Sequence, residues 1–102
     1  MKYAHTIDEI REMLLPIFRA NPIERAVVFG SYAKGNATPL SDVDIMIDSK
    51  GKVRGIDFFG VLDDIAEVMK RPIDLLELSQ IVPGGRIQKE IEETGVVIYE
   101  RT

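Results

Sequence analysis

A chain of 102 residues, 45% apolar and 29% charged, is sized for one small globular α/β-type domain, expected to span residues 1–102. Its net charge of −4 excludes a broad nucleic-acid groove, which carries a basic excess, so no direct binding to polymeric nucleic acid is expected. The absence of cysteine excludes disulfides and thiolate metal sites; with no signal-peptide pattern and no bilayer-length apolar run, a cytoplasmic location without a membrane partner is expected.

In chain order, Thr6 and Glu9 have capping-box spacing. Ile10, Met13, Leu14, Ile17 and Phe18 then recur at helical intervals. Pro16 lies inside that pattern and is expected to kink or shorten the helix. Asn21-Pro22 marks a turn. Arg25 to Phe29 reads as a short buried strand that stops at Gly30. The stretch 30–41 is rich in small and turn-forming residues and admits only a short helix.

Asp42 to Asp48 reads as a second strand, with Val43, Ile45 and Ile47 on one side. The polar loop Ser49-Lys50-Gly51-Lys52 follows. Asp57 is a candidate cap for a helix through about Lys70, whose apolar face carries Phe58, Val61, Leu62, Ile65 and Met69. Pro72 to Leu78 reads as a third strand. Pro83-Gly84-Gly85 breaks the chain, Arg86 to Thr94 forms a short helix stopped by Gly95, and Val96 to Tyr99 is a last strand. This order predicts an α/β (α+β) mixed sheet of about four strands with helices packed on it.

Three features carry chemistry. Asp42 and Asp44 are two apart on one strand, so both carboxylates point the same way, with Cα atoms ~7 Å apart. Held so close they repel unless a cation lies between them. A hard, oxygen-rich site suits Mg²⁺, with Mn²⁺ as a substitute, over zinc. Asp74 is flanked by Ile73, Leu75 and Leu76, and a charge within a buried strand is costly unless paired or metal-bound. An ion pair with Arg71 is one resolution. Placement beside the Asp42 strand is the other, and there Asp74 also serves as a general base on an attacking hydroxyl.

Gly30-Ser31 directly follows the first strand. Glycine permits close approach of the backbone to a phosphate. Ser31 offers an N–H and a hydroxyl, and a helix starting there adds positive potential. Lys34 is available as a mobile cation. The glycine spacing is that of neither a P-loop nor a dinucleotide fingerprint. Together these parts suit in-line attack on phosphorus, with metal ions clamping the attacking and leaving oxygens.

The string Phe29-Gly-Ser-Tyr-Ala-Lys-Gly35, then Ser41-Asp-Val-Asp-Ile45, resembles the minimal nucleotidyltransferase (MNT) family of the polymerase-β-like superfamily. The likeness extends to Arg71-Pro-Ile-Asp-Leu-Leu76 and to Glu92-Glu-Thr-Gly-Val-Val-Ile-Tyr99. It implies a metal-binding, catalytic triad of Asp42, Asp44 and Asp74. It implies nucleotide and triphosphate contacts from Gly30, Ser31 and Lys34, although many relatives carry arginine where Lys34 stands and lysine lacks its bidentate phosphate grip. Members of this family commonly pair with a HEPN-domain ribonuclease toxin and act as antitoxin by adenylylating it, typically on tyrosine, with ATP as substrate and Mg²⁺ as cofactor. A non-catalytic antitoxin that blocks its toxin by binding, and a small-molecule nucleotidyltransferase, are the alternatives. The latter needs an added acceptor domain, for which 102 residues leave no room. The acceptor surface is therefore expected from another chain, in a hetero-oligomer or a homodimer.

Overall fold

The computed structural model describes residues 4–101. Helix α1 (Ile7–Arg19) opens with the expected capping box: Glu9 N–H donates to Thr6 Oγ1 at 3.1 Å, and Thr6 N–H donates to Glu9 Oε1 at 2.8 Å. The helix runs through the exposed Pro16 and ends at Arg19. Strand β1 (Arg25–Phe29) leads into a single turn of helix, α2 (Ser31–Lys34). Strand β2 (Val43–Asp48), helix α3 (Ile56–Met69), strand β3 (Ile73–Glu77), a 3-10 turn (Leu78–Gln80), helix α4 (Arg86–Thr94) and strand β4 (Val96–Glu100) complete the order.

Besides one-residue shifts at both ends of β3 and at the end of β4, two boundaries differ from the sequence reading. Asp42 lies one residue before β2 rather than inside it. Helix α3 begins at Ile56 with Gly55 at the cap, at φ 60°, so Asp57 sits in the first turn instead of capping. There its charge still favours the positive helix end.

The four strands form one mixed sheet in the order β3-β2-β1-β4. β1 is antiparallel to both β2 and β4, whereas β2 and β3 are parallel and joined by α3. The two sheet faces pack different partners. Ala26, Val28, Val43, Ile45 and Ile47 join Ile10, Leu14 and Phe18 of α1 and Val61, Ile65 and Met69 of α3 in the main core. Val27, Phe29 and Met46 join Leu76, Ile87 and Ile91 under α4. Because strand side chains alternate, Asp44 shares the α4 face with Met46, and Asp74 shares it with Leu76. The main core thus needs no charge, and the carboxylates fall on the thinly covered face.

Buried Glu77, at the end of β3, clamps the neighbouring loops. One carboxylate oxygen accepts from the Ser49 N–H (2.8 Å) and hydroxyl (2.6 Å), the other from the Ser79 N–H (2.7 Å) and hydroxyl (2.5 Å). Burial alone pushes this carboxyl upward, but the donors outweigh it and bring it down to about 2. At the opposite edge of the sheet, Arg101 ties β4 to the α1–β1 turn by donating to the carbonyls of Phe18, Ile23 and Asn21.

Candidate active site

Asp44 and Asp74 are register partners in the parallel β2–β3 pair, and Phe29 is the partner of Asp44 on the β1 side. The expected adjacency of the two acidic strands is therefore present. As register partners, the two carboxylates stand side by side on one sheet face. Burial first, then the charges of Asp74 and Glu90, push Asp44 up to about 6, with Asp42 adding the least. A cleft of ≈ 390 Å³ is lined by Phe29, Asp44, Asp74, Leu76, Ile87 and Glu90.

Gly30 follows Phe29, which lines the cleft on the β1 side. Its φ is 74°, and a Cβ built there would collide with the Asp44 carboxylate. Only glycine lets the chain turn here and leaves the carboxylate its place. The Gly30 N–H donates to Thr94 Oγ1 at 3.1 Å, and that hydroxyl donates to the Glu90 carbonyl at 2.8 Å. The last turn of α4 is thereby fastened to the start of α2. Gly30 thus gives the site space and a turn while its own N–H is engaged. Ser31, the first residue of α2, is half-buried next to it, and no side chain caps that helix end.

Lys34 is exposed on the last residue of α2, before Gly35 at φ 79°. Asp42 is exposed at the entrance to β2. Arg71 donates to the Pro39 carbonyl, which fastens the loop before Asp42, while Asp74 faces Asp44. Among the described residues, no group of three or more His, Cys, Asp or Glu side chains is gathered into a ready metal cage. The observed pair nevertheless fits a hard divalent ion, because two neighbouring carboxylates supply oxygen ligands and excess negative charge.

Two residues at the site went unassigned in the sequence. Glu90 and Thr94 lie four apart on α4, one stripe over from Ile87 and Ile91, which pack on the sheet. The i,i+4 spacing was the available signal. It acquires meaning only when α4 is known to cross the Asp44 face.

A strand, a glycine turn into a short helix, and two register-paired aspartates on neighbouring strands form a nucleotidyl-transfer architecture. The family model described as "Polymerase beta, Nucleotidyltransferase" matches residues 12–102. The chain belongs to this family. It is a nucleotidyltransferase with the minimal polymerase-β-like fold. This nucleotidyltransferase is 30% identical over 77 residues to a Methanocaldococcus jannaschii protein named "Putative protein adenylyltransferase", covering 76% of this chain and 83% of that one. A second M. jannaschii protein of the same description is 27% identical over 92 residues, covering 86% and 93%. The fold matches a toxin–antitoxin crystal structure with AMP-PNP, at TM-score 0.77 and 17% identity, over 90% of this chain and 74% of that one. It also matches a chain of the complex between a tri-AMPylated Shewanella oneidensis HEPN toxin and its MNT antitoxin, at TM-score 0.72 and 14% identity, over 94% and 74%. Among the described residues, no helix is long and apolar enough to cross a membrane.

Proposed function

We propose that this nucleotidyltransferase moves AMP from ATP to a tyrosine of a cognate HEPN-domain toxin in the cytoplasm and so acts as its antitoxin. The single observation that carries the reading is the register pairing of Asp44 with Asp74 beneath Gly30. It is supported by relatives named for protein adenylylation and by a fold shared with MNT–HEPN complexes.

Asp42, Asp44 and Asp74 are the residues that would hold Mg²⁺, which supplies charge neutralisation on the triphosphate when bound. Asp42, exposed just before β2, would complete the set. Ser31, at the free end of α2, donates to phosphate oxygens. Lys34 offers a further positive charge toward the leaving group. Gly30 keeps Asp44 and Ser31 close by having no side chain between them.

In the transfer, the tyrosine oxygen forms a bond to the α-phosphorus of ATP. The bond from that phosphorus to the bridging oxygen breaks, and its electron pair leaves on pyrophosphate. Asp74, on the outer strand of the pair, takes the phenolic proton. The protein chiefly orients the two reactants and matches charge, which is how most phosphoryl-transfer rate acceleration is achieved.

The test is to purify the chain with a HEPN-domain protein encoded beside it, add ATP and Mg²⁺, and map modification by mass spectrometry. AMP on tyrosine is the expected product. A folded complex that returns unmodified, or modified elsewhere than on tyrosine, refutes the corresponding half of the reading.

A further inference from the structure

Beyond the acidic cleft, the same two side chains, Leu76 and Ile87, line a second cleft of ≈ 410 Å³ whose other apolar walls are Ile81 and Val82. It opens where β3 gives way to the 3-10 turn and α4 begins. Val82 is 72% exposed at its lip, and Arg86, at the first position of α4, stands at its rim. Val82 thus extends the apolar lining of the cleft to its mouth.

The place of this cleft is decided by in-line chemistry. The attacking and leaving oxygens lie on opposite sides of the reacting phosphorus. Gly30 and Ser31 follow β1, on one side of Asp44, whereas Asp74 belongs to β3, on the other. The pyrophosphate of a triphosphate held at Ser31 therefore leaves toward β1, and the acceptor enters from the β3 side. The second cleft opens on that side. Leu76 follows Asp74 by two residues on the same strand face, ~7 Å along it. We infer that the Leu76–Ile81–Val82–Ile87 cleft is the acceptor subsite and receives the aromatic ring of a tyrosine, with its hydroxyl directed at Asp74. This rests on the nucleotidyl-transfer reading above. A serine or threonine acceptor would leave the apolar walls wet, whereas a phenol ring fills them and keeps a polar tip for the acidic cleft. The site thereby prefers tyrosine by shape and polarity, before any contact outside it.

NMR on the full chain tests this with two probes, AMP-PNP with Mg²⁺ and p-cresol, the side-chain analogue of tyrosine. The expected p-cresol shifts concentrate on Leu76, Ile81, Val82 and Ile87 and persist when AMP-PNP is bound. Val82→Asp, a change at an exposed lip that leaves the core intact, weakens p-cresol binding by about tenfold or more. Ile56→Asp, at the 89% exposed start of α3, leaves it unchanged. Shifts spread over the chain, an unaffected Val82→Asp variant, or displacement of p-cresol by AMP-PNP overturn the assignment, the last because it gives the cleft to the base. A chain that binds p-cresol at this cleft but shows no response to AMP-PNP upholds the cleft and counts against the nucleotidyl-transfer reading instead.

Discussion

The backbone N–H of Gly30 donates to the hydroxyl of Thr94, sixty-four residues later in the chain, at 3.1 Å. One bond thus joins the turn above Asp44 to the last turn of the helix that roofs the cleft. Thr94→Val keeps the shape of the side chain and removes the acceptor. It leaves a buried N–H unsatisfied, at a cost of about 1–3 kcal/mol. Thr94→Ser keeps the bond and should stay near the parent protein. Urea unfolding of both variants, with transfer rates alongside, separates them; equal behaviour of Val and Ser would show that the bond contributes nothing.

Gly30→Ala meets two obstacles at once. The φ of 74° belongs to a backbone region that costs other residues about 1–3 kcal/mol, and the added Cβ collides with Asp44. Relief requires the carboxylate to leave its place beside Asp74 on the sheet face. Transfer should fall about 100-fold, since a displacement of about 1 Å at a reacting centre is enough for that. Kinetics at saturating ATP read this directly, and a variant with unchanged kcat would contradict the geometry.

Asp44 is held near Asp74 and Glu90 against its own charge. Asp44→Asn removes that repulsion while keeping the hydrogen-bonding shape. In metal-free buffer at neutral pH the variant should melt several degrees above the parent protein. Mg²⁺ should raise the midpoint of the parent and leave that of the variant where it was. Thermal scans with EDTA and with Mg²⁺ check both statements. A variant that melts lower in EDTA would mean that the ionised carboxylate stabilises the fold.

Glu77 provides the pH prediction. Its carboxyl is lowered from 4.5 to about 2 in the folded chain, so the folded state favours the ionised form. The corresponding stability is fully present above about pH 4.5 and is lost as pH falls from there toward 2. It amounts to roughly 3 kcal/mol. Glu77→Gln should be less stable than the parent at pH 7, with the difference shrinking as pH is lowered through that window. Denaturant midpoints at pH 7, 4 and 2.5 measure it, and a difference that stays constant would assign the loss to packing.

Much of this molecule was legible in the chain because local rules and global fold agree. The Thr6–Glu9 cap, the helical stripe of Ile10, Leu14 and Phe18, and the breaks at Gly30 and Gly95 each follow from neighbouring residues. Asp44 was readable as a site candidate from its two-residue spacing to Asp42, and Asp74 from its place among strand apolars, although Asp74 is exposed on the outer strand rather than buried. The start of α3 was misplaced because Gly55, at positive φ, takes the cap position in place of Asp57, and nothing local ranks the two. The clamp on Glu77 and the roles of Glu90 and Thr94 were not legible. They depend on contacts made across the sheet face and between loops, at separations where residue spacing carries no information. The apolar cleft at Leu76 and Ile87 is invisible for the same reason: its walls come from a strand, a turn and a helix.

The central claim is that Asp44 and Asp74 transfer the nucleotide portion of ATP to a protein. Parallel incubations with α-labelled and γ-labelled ATP, Mg²⁺ and the HEPN-domain partner, using the parent protein, Asp44→Asn and Asp74→Asn, test it most directly. The account predicts label on the partner from α-labelled ATP only, and none with either variant. Label from γ-labelled ATP, or undiminished labelling by folded Asp44→Asn, would contradict it.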